Sequence, residues 1–95
     1  MMLLLLPTSA AATTQARWVV DLANCQTDQT DRARALHRGE FSAQDARRAA
    51  RDIVRACRST VPGGLFTAQE LANMEGADRY DIAQKLRNGR ATNVR

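Results

Sequence analysis

Gly39-Glu40-Phe41-Ser42-Ala43-Gln44-Asp45-Ala46-Arg47-Arg48-Ala49-Ala50-Arg51-Asp52-Ile53-Val54-Arg55-Ala56-Cys57 is the stretch that decides the fold. It opens with a stop, Gly39, and a start, Ser42, whose hydroxyl is placed to accept from the backbone N–H of Asp45. The Asp45 carboxylate favours the positive end of a helix, and Phe41 and Ala46 stand at the staple positions. Beyond the cap, Ala46, Ala50, Ile53 and Cys57 form one stripe at helical spacing. Arg47, Arg51, Arg55 and Arg58, with Arg48 beside them, lie roughly opposite. One face is built for packing and the other for water or a partner.

Position 41 is also the midpoint between Cys25 and Cys57, the two cysteines of the chain. In an antiparallel hairpin, residues equidistant from the turn lie at the same height. Folding about residues 39–42 therefore sets Cys25 beside Cys57, Gln29 against Ile53, Leu36 against Ala46 and Leu22 near Val61. This register predicts a helical hairpin over residues 17–60 with a Cys25–Cys57 disulfide. The first helix is expected to be long, with Trp18, Leu22 and Cys25 on one face and a polar middle at Thr27-Asp28-Gln29-Thr30-Asp31.

Further caps divide the C-terminal part of the chain. Thr67-Ala68-Gln69-Glu70 is a capping box, with Phe66 and Leu71 as its hydrophobic staple. Asp78 is a second N-cap candidate, with Ala77 and Ile82 at the staple positions, and Pro62-Gly63-Gly64, Gly76 and Gly89 read as stops. Pro is confined to positions 7 and 62, so helix is the default elsewhere. The expected fold class is all-α: an antiparallel helical hairpin with two short helices over residues 65–89 packed on it.

Residues 67–88 resemble the helix-turn-helix of phage and bacterial repressors. Ala72 lies four residues before Gly76, the turn glycine, and Ile82 lies six after it. The resemblance implies DNA binding, with Arg79, Tyr80, Lys85 and Arg87 on or near the recognition helix. Glu75 departs from the pattern by standing at a position that is apolar in the family. Asp78 and Asp81 depart by placing negative charge on the DNA-facing side. The competing reading is an αα-corner that packs Leu71, Met74, Ile82 and Leu86 on the hairpin.

The 95 residues allow one small domain. Residues 1–16 carry no charged side chain, so the net charge of +4 belongs to the remainder. Met1–Leu6 is apolar, and Thr8-Ser9-Ala10-Ala11-Ala12 supplies the small residues of a signal-peptidase site. The segment reads as a signal-peptide remnant or a disordered tail. The missing basic n-region and the short apolar run fit a translation start placed downstream of the true one. The run is too short to span a bilayer. Asn24 before Cys25, with Arg17 and Asp21 upstream, rules out a lipobox.

All the basic residues except Lys85 are arginine, the side chain suited to bidentate recognition of phosphate and carboxylate. A GC-rich coding sequence also spells arginine readily. Two cysteines and the lone His37 are too few for a metal site, and neither cysteine has a histidine placed to activate it. No cofactor and no catalytic residue is expected. The leading functional expectation is a periplasmic or secreted, non-enzymatic helical module. Arg47, Arg48, Arg51, Arg55 and Arg58 would meet a protein partner or an anionic surface. The alternative is a cytoplasmic DNA-binding protein using the helix-turn-helix.

Overall fold

A computed structural model describes residues 5–88, with side chains described over 17–88. It contains α1 (Leu5–Leu36), α2 (Ala43–Ala56), a 3₁₀ turn (Arg58–Thr60) and α3 (Ala68–Arg87). The protein is all-α, with no strand among the described residues. The start of α1 lies inside the segment read as an export remnant or tail, and Gly89 lies outside the described residues.

The polar middle of α1 stays helical because its polar groups find partners or water. Thr27, Asp28 and Asp31 are exposed. Thr30 is buried, and its hydroxyl donates to the Gln26 carbonyl at 2.6 Å, so burial leaves it satisfied. The chain leaves α1 through Gly39, whose φ of 75° is a left-handed conformation that side chains other than glycine resist. Ser42 then caps α2, accepting from the Asp45 N–H at 3.0 Å.

Cys25 and Cys57 are joined, with Cα atoms 5.9 Å apart, so the register about position 41 is the observed one. Gln29 and Ile53 line a common groove, as that register requires, and Ala33 and Ala49 both pack against the core. Leu36 departs from the expectation. It is 77 % exposed, while Ala46 is fully buried in the cluster that holds Phe41, Ile82 and Leu86. Phe41 fills the place expected of Leu36.

The larger departure concerns α3. The two short helices expected over 65–89 are one helix of 20 residues. Gly76 does not end it, because its φ is not positive and a lone helical glycine costs only about 1 kcal/mol. Glu75 on one side of Gly76 and Ile82 and Leu86 on the other are all buried. Their anchorage outweighs that cost. Asp78 caps nothing; its carboxylate accepts from Gln26 of α1 at 3.0 Å. The capping box at Thr67 is complete, with Glu70 N–H donating to the Thr67 hydroxyl at 3.0 Å and Thr67 N–H to the Glu70 carboxylate at 2.9 Å.

The core is also distributed differently from the expected hairpin core. Ala46, Ala50, Ile53 and Val54 of α2 meet Ile82 and Leu86 of α3, with Phe41 from the turn. α1 adds only half-buried Ala33 to this apolar cluster. It is held along its length by the disulfide, by Gln26 on Asp78, and by Trp18 edge-on to Phe66 with ring centroids 5.7 Å apart. The helices run up, down and up: Arg58 at the end of α2 meets Glu75 in the first half of α3.

Thr67→Ala should lower the stability of the chain by about 1 kcal/mol, the usual worth of an N-cap. An unchanged denaturation midpoint would contradict the capping box. Cys25→Ser opens a link across a sequence separation of 32 residues. It should cost about 3–4 kcal/mol on the chain-entropy account, read as a fall in urea midpoint.

Candidate functional site

At 100° per residue, the exposed side of α2 presents Arg47, Arg51, Arg55 and Arg48 within an arc of about 100°. All of these arginines are exposed. The buried arc on the other side carries Ala46, Ala50, Ile53 and Val54. The packing face sets the orientation of α2, and that orientation sends the guanidinium groups into solvent.

Compensation on this face is slight. Arg51 Nε lies 3.8 Å from the Asp52 carboxylate, with both side chains more than half exposed. Among the described residues, Arg47, Arg48 and Arg55 have no carboxylate within ion-pair distance. Asp31, opposite Arg51 in the hairpin register, turns instead to Arg34 in its own helix at 3.2 Å. The i, i+4 series Arg47, Arg51 and Arg55 repels itself, a small cost that a bound anion would relieve.

Arg58 leaves the set. It lies past the end of α2 and grips Glu75 with both ends of its fork, Nε and Nη2 each 2.8 Å from a carboxylate oxygen. Glu75 is only 7 % exposed. The hydrogen bonds from Arg58 hold its carboxyl below the usual range against the opposing effect of burial, with further help from the charges of Arg58 and Arg79. The same hydrogen bonds raise Arg58. This pair ties α2 to α3 and is geometrically spoken for.

The residues implied by the repressor resemblance do not sit on a separate recognition helix. The turn that would separate a recognition helix is absent, because Gly76 lies inside continuous α3. At 100° per residue Arg79, Arg87 and Tyr80 share an arc of about 100° on that helix, and Lys85 lies on the other side. Lys85 pairs with Asp81 at 3.1 Å, and Tyr80 is 69 % exposed. A helix-turn-helix at 67–88 is therefore replaced by one continuous helix.

Several contacts escaped the sequence reading. His37 stacks on Phe41, with ring centroids 3.8 Å apart, and its Nε2 lies 3.6 Å from Asp45. A groove of about 360 Å³ opens between α1 and α2. The Arg58–Glu75 pair had a signal: Glu75 falls on the apolar stripe of Leu71, Ile82 and Leu86, and an acid there needs a buried-side cation. Among the described residues no group of three or more His, Cys, Asp or Glu is gathered for a metal ion, and no helix is long and apolar enough to cross a membrane. No protein-family model, curated protein or solved structure matches the chain.

Glu75→Gln should reduce thermal stability at neutral pH, because Arg58 loses its charged partner. Since the folded-state pKa of Glu75 is depressed, the stability it contributes is present above the unfolded value of about 4.3 and is lost as pH falls below it. Melting temperature measured from pH 6 to pH 3 should therefore fall less steeply for Glu75→Gln than for the parent chain. Parallel curves would contradict the coupling.

Proposed function

We propose that this chain is a small, exported, non-enzymatic binding module that engages a polyanionic partner through the arginine face of α2. The observation that carries the reading is the row Arg47, Arg48, Arg51 and Arg55, exposed to solvent with only Asp52 in range among the described residues. Arginine forks bind carboxylate and phosphate with paired hydrogen bonds, and such a row binds by summed charge rather than by one shaped pocket. The Cys25–Cys57 bond supports a periplasmic or secreted location, since disulfides persist in oxidising compartments.

The face rests on a helix whose opposite side supplies the packing, so binding and stability should separate. Replacing Arg47, Arg51 and Arg55 together by Gln should leave the melting temperature within a few degrees of the parent. Affinity for heparin should fall, and the slope of log affinity against log salt should shrink by roughly 2–3, as expected for about three lost contacts. DNA and anionic vesicles run in parallel rank the chemistry of the anion. Unchanged affinity for all three, with stability lowered, would make the row a structural surface and overturn the reading.

A further inference from the structure

The arginine row of α2 is half of a wider basic face. Going round α2 at 100° per residue, Ala49 and Ile53 on the α1 side are followed by the buried Ala50 and Val54, and then by Arg47, Arg51 and Arg55. Going round α3, Asp81, Lys85 and Asp78 on the α1 side are followed by the buried Ile82, Glu75 and Leu86, and then by Arg79, Arg87 and Tyr80. The two helices run antiparallel, so their senses of rotation oppose. Both sets therefore emerge on one face, the one turned away from α1. The register set by Arg58 on Glu75 brings Arg55 to about the level of Arg79, and Arg47 to about that of Arg87. Each row covers roughly 12 Å of helix rise, and packed helix axes lie about 8–10 Å apart.

The acids lie elsewhere. Asp45 and Asp52 of α2, and Glu70, Asp78 and Asp81 of α3, fall outside the two arginine arcs. Asp78 is bonded to Gln26, Asp81 pairs with Lys85, Glu70 accepts from the Thr67 N–H, and Glu75 is gripped by Arg58. Asp52 alone reaches in, 3.8 Å from Arg51. Among the described residues, Arg47, Arg55, Arg79 and Arg87 are exposed and have no carboxylate within ion-pair distance, Glu40 of the turn included. Residues 89–95 add two arginines and no acid. Tyr80 stands on the same arc, between Arg79 and Arg87 along α3, with its side chain largely exposed. It has no ring contact or hydrogen bond among the described residues.

We infer that this two-helix face binds single-stranded nucleic acid, with phosphates on Arg47, Arg51, Arg55, Arg79 and Arg87 and a base stacked on Tyr80. The inference rests on the polyanion reading and narrows it from any polyanion to one that carries bases. The paired rows of arginine suit a phosphate backbone, and an exposed ring beside them offers a surface on which any base can stack. A sulfated polysaccharide would use the charges but has no aromatic ring to set on Tyr80. A bilayer would bury apolar side chains. Apart from Tyr80, the large exposed apolar residues among those described are Val19, Val20 and Leu36 of α1 and Leu65 of the loop before α3.

The test uses the full, disulfide-bonded chain and a fluorescein-labelled oligothymidylate of about 12 nucleotides, within the usual site sizes for a single strand. An abasic strand of the same length keeps the phosphates and removes the bases. The thymidine strand should bind about tenfold tighter than the abasic one, as a stacked base supplies. Tyr80→Ala should erase that difference while leaving the abasic strand and heparin unaffected, and Tyr80→Phe should preserve it. Arg79→Gln with Arg87→Gln should weaken both strands and reduce the slope of log affinity against log salt by about 1.4, from about 0.7 per lost contact. Arg87→Gln alone, placed at the helix end away from Glu75, should give about half that change. Melting temperatures of all variants are measured alongside. Equal binding of the two strands, or a preference that survives Tyr80→Ala, overturns the nucleic-acid assignment. Unchanged strand affinity in both the double variant and Arg87→Gln overturns the two-helix face. In that case the α2 reading stands if replacing Arg47, Arg51 and Arg55 still lowers heparin affinity, and both fail if it does not. A duplex of the same length that binds as tightly as the single strand and ignores Tyr80→Ala would assign the face to backbone charge alone and overturn the inference. Vesicles of phosphatidylcholine and phosphatidylglycerol that lose binding in Tyr80→Ala, while the strands do not, would overturn it in favour of a membrane.

Discussion

The covalent bond between Cys25 and Cys57 is the constraint on which the arrangement of this chain depends. Apolar burial alone accounts for α2 against α3, where Ala46, Ala50, Ile53, Val54, Ile82 and Leu86 share one cluster. It does not account for α1, whose apolar contribution to that cluster is the half-buried Ala33. The disulfide lies at the opposite end of the α1–α2 contact from the turn at Gly39, so α1 is fixed at two separated points. Two fixed points define its direction along α2. The weaker contacts can then form at low entropic cost: Trp18 on Phe66, and Gln26 on Asp78. For a domain whose net stability is of order 5–15 kcal/mol, a cross-link worth about 3–4 is a large fraction.

The parts of this structure that were legible in the sequence are those governed by local chemistry or by counting. Ser42 and Thr67 cap their helices through their own hydroxyls and a backbone N–H three residues on, so the necessary information is local. The hairpin register follows from symmetry about a turn, and the cysteines fall on it. The illegible parts depend on tertiary partners. Gly76 resembles a stop until Glu75 and Ile82 are seen to be anchored on either side of it. Leu36 fits a hairpin core until Phe41 occupies that space. The partition of the core between α2 and α3 could not be read from stripes alone, because each helix offers a stripe without naming its recipient.

The arginines of the second helix show how one residue type divides into two roles over a few residues. Arg58 follows the end of α2, where the chain bends through the 3₁₀ turn toward α3, and so it reaches Glu75. Arg47, Arg51 and Arg55 share its stripe in the sequence but remain on the straight part of the helix, facing away from the buried side. The stripe was legible; the departure of its last member was not, since it needs the turn after Cys57 and the position of Glu75 together. A bidentate pair with a largely buried acid is expected to resist competition by salt, whereas the open row is not. The two sets would thus respond differently to ionic strength even though they are adjacent.

Small side chains connect the packing to the exposed surface. Ala46 and Ala50 are fully buried where α2 meets α3, and interaxial distance falls with the size of the residues at the contact. Alanine there draws α2 inward toward α3. On the α1 side, Ala33, Ala49 and Ala56 are also small, but the register already set by the disulfide leaves their surfaces only partly covered, and the groove is the result. Filling it from within would require larger side chains at Ala49 or Ala33, which also touch the core cluster and would press on Ile53. Ala46 and Ala50 allow α2 to pack closely on one side, while Ala49 and Ala56 leave a partly uncovered cleft on the other. Asp52 borders that cleft on α2, and the arginine face begins beyond it around the helix.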